Sequence, residues 1–152
     1  MINYGLNWSK EIADRTEKDW IFGAVPLKCI AEIPAIDRVD CLPKGEIQAS
    51  SKNDMRDCAS RGPVNMLETK FNWLIRKNKL SVASTSFLNQ FMDNGQVEIS
   101  DAFIAIKSGT TWEGNSMKAP LEAIRKCGIV PKKLLPLEDW MGWKDYHNPK
   151  RI

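Results

Sequence analysis

The sequence predicts a mainly helical fold, of the α+β class with few strands, built around one long central helix. Apolar side chains recur at the helical positions i, i+4, i+7 and i+8 as Leu67, Phe71, Leu74 and Ile75. Strand-type alternation is confined to Val97 and Ile99. With 152 residues, 43% of them hydrophobic and 27% charged, the chain has the size and composition of a single globular domain over residues 1–152.

Glycine and proline divide this domain into three parts. Frequent breaks make residues 1–56 an irregular segment, with a short helix expected near Lys10 to Lys18. Residues 57–140 form the predicted helical core. Pro131, Pro136 and Pro149 predict an irregular tail over residues 141–152.

Serine residues mark the starts of three further helices. Ser81 is the predicted N-cap of a helix that runs to about Asp93, and Ser100 is the predicted N-cap of a short helix over residues 101–107. Ser116 is the predicted cap of a helix that runs through Cys127. Leu121, Ile124 and Cys127 share one face of this helix, and Gly128 ends it.

Charge and hydropathy exclude two classes of partner. Lys and Arg number 22 against 19 Asp and Glu, for a net charge of +3, which is too even for a nucleic-acid-binding surface. No apolar run is long enough to span a membrane, and the first residues lack a signal-peptide pattern. We therefore expect a soluble, cytoplasmic protein that binds neither nucleic acid nor membranes.

Cysteine and histidine counts predict neither a metal nor a cofactor. The four cysteines have no C-x-x-C spacing, although a disulfide such as Cys29–Cys41 is an alternative. A histidine-based metal site would have only His147 to use. Because His147 is followed closely by a proline, we expect it in a solvated loop.

Cys58 stands where a polar loop runs into the predicted central helix. The unsatisfied N–H groups and the positive dipole end at a helix start stabilise a thiolate, which is the reactive form of cysteine. The alternative is a small structural core residue. Pro63 leaves two possible starts for the helix. The helix begins either at Cys58, or one turn later at Gly62 or Pro63, which would leave Cys58 outside it.

Two ordered segments resemble papain-like cysteine peptidases. Cys58 at the head of the long helix, with Glu68 ten positions later, is similar to the start of that family's central helix. The family's glycine-bearing substrate loop and the helix after it look like residues 114–130, GNSMKAPLEAIRKCGIV. The stretch where relatives carry Tyr-Pro-Tyr looks like Leu135-Pro136-Leu137. The resemblance covers about residues 43–140 and implies the helical left subdomain of a papain-like fold, of the bacterial or phage-encoded type.

The resemblance also implies roles for individual residues. Cys58 would be the nucleophile, and Gln48, at the end of LPKGEIQ, would donate to the developing oxyanion. Gly114 and Asn115 would line the groove that holds a peptide substrate through its backbone. The alternatives are a solvated loop glutamine and a simple turn before a helix cap.

The sequence departs from the family in three places. Ala59 follows the nucleophile where relatives carry a large residue, the family's catalytic His and Asn have no counterpart, and the chain ends at Ile152 before the β-rich half that carries them. We therefore expect a fragment, one chain of a two-chain product, or a reduced papain-like half. Alone, it should not be an active endopeptidase.

An inactive papain-like structural or assembly protein, such as a phage virion component, is the alternative to the peptidase. A helical half would expose the face that its missing partner covers, so we expect a protein partner or second half-domain. Trp140 and Trp143, in the predicted tail, are candidate contacts with it, because tryptophan buries a large area and retains an N–H donor. Ordinary packing of the tail is the alternative for this pair.

Overall fold

A computed structural model describes residues 41–43 and 53–152. Its helices are α1 (Cys58–Arg76), α2 (Val82–Leu88), α3 (Asp101–Lys107), α4 (Lys118–Cys127) and α5 (Trp143–Tyr146), with 3-10 turns at Asn89–Phe91, Lys132–Leu134 and Pro149–Arg151. Two short strands, β1 (Met92–Asp93) and β2 (Gln96–Val97), form an antiparallel hairpin. The predicted mainly helical fold with few strands is confirmed. Gln48, Cys29 and the helix expected near Lys10 lie outside the described residues.

Helix α1 begins at Cys58, so of the two starts left open the earlier is confirmed and the later, at Gly62 or Pro63, is wrong. The Asp57 carbonyl accepts hydrogen bonds from the Ser60 and Arg61 amides, at 2.8 and 3.0 Å, and thereby closes the first turn. Pro63 is accommodated inside the helix, in its second turn.

The deeply buried face of α1 is largely polar. Arg61, Glu68 and Asn72 are buried, and the predicted apolar residues Leu67, Phe71 and Ile75 pack partly buried against the core. The Glu68 carboxylate accepts a hydrogen bond from the Ile99 amide at 2.6 Å. The Asn72 side chain accepts from the Val97 amide at 2.8 Å. This polar row therefore holds the chain around β2 against the central helix.

The chain after α2 turns into a hairpin, which corrects the prediction of a helix reaching Asp93. Ser81 does cap α2, accepting from the Ser84 amide at 3.1 Å. The hairpin turn places Asn94 and Gly95 at φ of 47° and 81°. An Asn-Gly pair favours such a two-residue turn with two left-handed residues, and this local preference ends the helical run.

Helices α3 and α4 follow the predicted boundaries closely. Ser100 accepts from the Phe103 amide at 3.2 Å and caps α3, and Gly128 ends α4 with φ of 77°. On the face that Leu121, Ile124 and Cys127 share, Leu121 and Cys127 are exposed, and Ile124 packs partly buried against the core. The helix instead buries two smaller residues, Pro120 and Ala123, and packs against α1 and α3.

The tail contains α5 and the 3-10 turn at Pro149–Arg151 and packs into the core, where the sequence predicts an irregular tail. Met141 and Tyr146 are buried members of the main hydrophobic cluster. His147 is only 8% exposed, so the prediction of a surface histidine is wrong. Arg151 closes this end of the chain by donating to the Pro136 carbonyl at 2.8 Å. Within the described ranges, no helix combines the length and apolar character needed to cross a bilayer.

Candidate active site around Cys58

Cys58 is the first residue of the longest described helix, and its half-buried thiol is not part of a disulfide. Cys41 is buried. Cys29, its partner in the disulfide alternative, lies outside the described residues, so that alternative stays a prediction.

The surroundings of Cys58 raise the pKa of its thiol above the ordinary value. Burial is the largest cause, followed by the negative charge of Asp57 and, more weakly, that of Asp54. The backbone amides of Ala59 and of Cys58 itself act in the opposite direction, as expected at a helix start. The helix terminus therefore reaches the sulfur, but burial and the two carboxylates outweigh it.

Asp57 is the centre of a buried polar cluster beside the thiol. One carboxylate oxygen lies 2.9 Å from Arg61 Nε, and the other accepts from the Tyr146 hydroxyl at 2.6 Å. Arg61 also approaches the Asp101 carboxylate at 3.5 Å. Both oxygens of Asp57 are thus engaged within the protein.

Charge and burial act on each member of this cluster. Burial would lower the pKa of Arg61, but the carboxylates of Asp57 and Asp101 outweigh it and raise that pKa. Burial and then the Asp57 carboxylate raise the pKa of Tyr146 well above its ordinary value. Tyr146 therefore stays a neutral hydrogen-bond donor at physiological pH.

His147 binds the backbone before Cys58. Its Nε2 lies 2.8 Å from the Met55 carbonyl oxygen, and because a carbonyl only accepts, Nε2 carries the proton. Nδ1 is buried with no hydrogen-bond partner among the described residues. Burial lowers the pKa of the imidazole. In this arrangement His147 is a structural donor to the segment before Cys58.

The predicted substrate-loop residues are both buried. The Asn115 side chain donates to the hydroxyls of Ser108 and Thr110 at 2.8 and 3.1 Å, so it braces the loop from within. Gly114 has φ of 97° and closes a tight turn by donating to the Thr111 carbonyl at 2.9 Å. A substrate-binding role for this pair stays a prediction, and only backbone contacts would fit the burial of Asn115.

The loop nevertheless lies beside the start of α1. The Met117 methyl carbon is 3.6 Å from the position that a β-carbon would take on Gly62, one turn after Cys58. The fold therefore brings the second resembling segment to the same end of the central helix as the thiol.

The two predicted interface tryptophans have different surroundings. Trp140 is 59% exposed. Trp143 packs within the chain, edge-on to Trp112 with 5.9 Å between ring centroids and against His147 at 4.5 Å. The intramolecular packing considered as an alternative therefore describes Trp143, and contact with a partner stays a prediction for both.

Sequence reasoning missed the parts that Tyr146 and Asp57 play. They are 89 positions apart, and no local motif pairs them. The one usable signal was a Tyr-His pair among the tail aromatics, since buried Tyr and His side chains need polar partners.

Metal binding finds no support in the described ranges, where no group of three or more His, Cys, Asp or Glu side chains is placed to hold an ion. Compared with protein-family models, curated proteins and solved structures, the chain matches none of them.

Proposed function

We propose that this chain is the helical half of a papain-like cysteine peptidase, in which Cys58 attacks a peptide carbonyl and Gln48 donates to the oxyanion. The observation that supports the proposal best is the position of Cys58 at the first residue of the 19-residue helix α1. The backbone amides of Ala59 and Cys58 lower the pKa of its thiol, which is the effect that a developing thiolate requires.

The reaction needs a base from outside these residues. Attack by Cys58 forms a carbon–sulfur bond as its proton passes to an imidazole, which then protonates the leaving amine, and water hydrolyses the thioester. The raised pKa of Cys58 leaves little thiolate at neutral pH without such a base. Alone, the chain is therefore expected to be inactive, and it is completed by a half that carries His and Asn.

The test is peptide hydrolysis by the chain joined to a His- and Asn-bearing half, either from its own coding sequence beyond Ile152 or supplied as a separate polypeptide. Cys58→Ala should abolish hydrolysis, and Gln48→Ala should lower kcat by about 10² to 10³, the usual loss for one oxyanion donor. Cys127→Ala, which changes an exposed thiol at the far end of α4, is the matched control and should retain full activity. Hydrolysis that survives Cys58→Ala would contradict the proposal.

The second candidate is an inactive papain-like assembly module, for example in a phage virion. It is favoured by the raised pKa of Cys58 and by the 59% exposure of Trp140. Trp140→Ala should then weaken self-association or partner binding by about 2 kcal/mol, as for a buried interface tryptophan. Val82→Ala, at an 89% exposed position on α2, is the control. Association measured by sedimentation that is equal in both variants would argue against this surface.

A further inference from the structure

One of the three residues before Cys58 adopts an unusual backbone conformation. Met55 and Asp57 are both 0% exposed, and Arg56 between them has φ of 54°. A long side chain rarely occupies this left-handed region, because its β-carbon crowds the following carbonyl. Such a backbone persists only where surrounding contacts over-determine it, and these conformations concentrate at functional sites.

The tail supplies two of those contacts, from consecutive residues. The Tyr146 hydroxyl donates to Asp57 Oδ2 at 2.6 Å, and His147 Nε2 donates to the Met55 carbonyl at 2.8 Å. Both tail residues are themselves buried. The two hydrogen bonds therefore fix the segment on either side of Arg56, immediately before the first residue of α1.

The third contact comes from the loop that precedes α4. The Arg56 guanidinium lies 4.6 Å from the centre of the Trp112 ring, in a cation–π arrangement. Trp143 contacts both Trp112 and His147 and joins the loop to the tail. The segment before Cys58 is thus enclosed by the tail on one side and the loop on the other.

We propose that Tyr146 and His147 are positioning residues for Cys58, which hold the left-handed turn at Arg56 and thereby set the exposure of the thiol. The inference rests on the proposed function only in making Cys58 the residue that needs positioning. Thiol exposure can be measured whether or not the chain hydrolyses peptides, so the two ideas fail separately.

The expected effect of removing the two donors follows from the causes that raise the pKa of the Cys58 thiol. Burial is the largest cause of the raised pKa of Cys58. Release of the turn exposes the sulfur to water, and both the thiolate fraction and the access of a reagent then increase. Loss of the two donors should therefore speed alkylation of Cys58 at neutral pH.

The experiment measures iodoacetamide labelling of individual cysteines in the full chain by mass spectrometry. Tyr146→Phe and His147→Phe each keep a flat ring and remove a donor, and both are combined in a double variant. The double variant should label Cys58 at least about threefold faster than wild type, the effect of half a unit of thiol pKa. Exposed Cys127, on α4, is the internal reference and should label at its original rate.

A destabilised control separates positioning from general opening. Val97→Ala truncates a fully buried residue of β2 that is not part of the hydrogen bonds between the tail and residues 55–57. In this variant, Cys58 should be labelled at a rate within about twofold of wild type, a change worth under 0.5 kcal/mol. An unchanged Cys58 rate in the double variant, or an equal acceleration in Val97→Ala, would overturn the proposal. If the double variant does not fold, as judged by circular dichroism, the same criterion applies to the two single variants.

Discussion

Asn72→Ala is the sharpest test of how the central helix is attached to the rest of the fold. The Asn72 side chain is 5% exposed, accepts from the Val97 amide at 2.8 Å and donates to the Cys41 carbonyl at 3.2 Å. Both partner residues are themselves buried. Alanine would leave one buried N–H and one buried C=O without their side-chain partner.

The expected cost follows from counting those two groups. Each buried polar group that loses its partner costs about 1–3 kcal/mol, so the variant should lose about 2–6 kcal/mol of unfolding free energy. A domain of this size has about 5–15 kcal/mol in total and shifts its Tm by about 2–4 °C per kcal/mol. The variant should therefore melt at least several degrees lower, and could fail to fold when the larger cost applies.

The assay is urea denaturation followed by circular dichroism, with Met66→Ala as the matched control. Met66 lies on the same helix but is 60% exposed, so its truncation should cost no more than about 0.5 kcal/mol. If Asn72→Ala loses less than about 1 kcal/mol, then water or a backbone shift satisfies the two groups. That result would refute the structural role assigned here to the polar face of α1.

Two further predictions concern the thiols and the buried histidine. At neutral pH, iodoacetamide should label Cys127 fastest, Cys58 more slowly and Cys41 slowest. Cys127 is exposed, Cys58 is half-buried with a raised pKa, and Cys41 is buried. If Cys58 is labelled first, the helix terminus dominates its pKa, and the prediction is wrong. His147 has its pKa lowered from 6.5 by burial, so the unfolded chain binds a proton that the folded chain does not. The contribution of His147 to the unfolding free energy should therefore be constant above about pH 7 and fall as the pH drops below about 6.5, levelling off only below the folded pKa. Denaturation curves of His147→Phe should lack this component of the slope, and an identical slope would assign the acid sensitivity to other groups.

Element boundaries were predictable where local chemistry decides them. Ser81 and Ser100 cap the helices expected from their side chains, and Gly128 ends α4. These features depend on residues only three or four positions apart, which a sequence displays directly. The missed hairpin had an equally local signal in Asn94-Gly95, which the apolar spacing of Phe91 and Met92 concealed.

The polar face of α1 was not predictable from hydrophobic periodicity. Glu68 and Asn72 are four residues apart on the helix, a rise of about 6.0 Å. The amides that they bind belong to Ile99 and Val97, two residues apart on an extended segment, a span of about 6.6 Å. The two spacings match only when the helix and the extended segment lie side by side, so the pairing cannot be recognised from either segment alone.

The environment of Cys58 bears on how the two candidate functions relate. Asp57 is the nearest carboxylate in sequence, and its two oxygens are already bound by Arg61 and Tyr146. The same negative charge raises the pKa of Cys58 and thus opposes thiolate formation. An imidazolium formed beside Cys58 would, however, be stabilised by that charge, as the third group of a catalytic triad stabilises its histidine. Asp57 would therefore disfavour the Cys58 thiolate while the chain is alone, and favour a thiolate–imidazolium ion pair once a histidine is supplied.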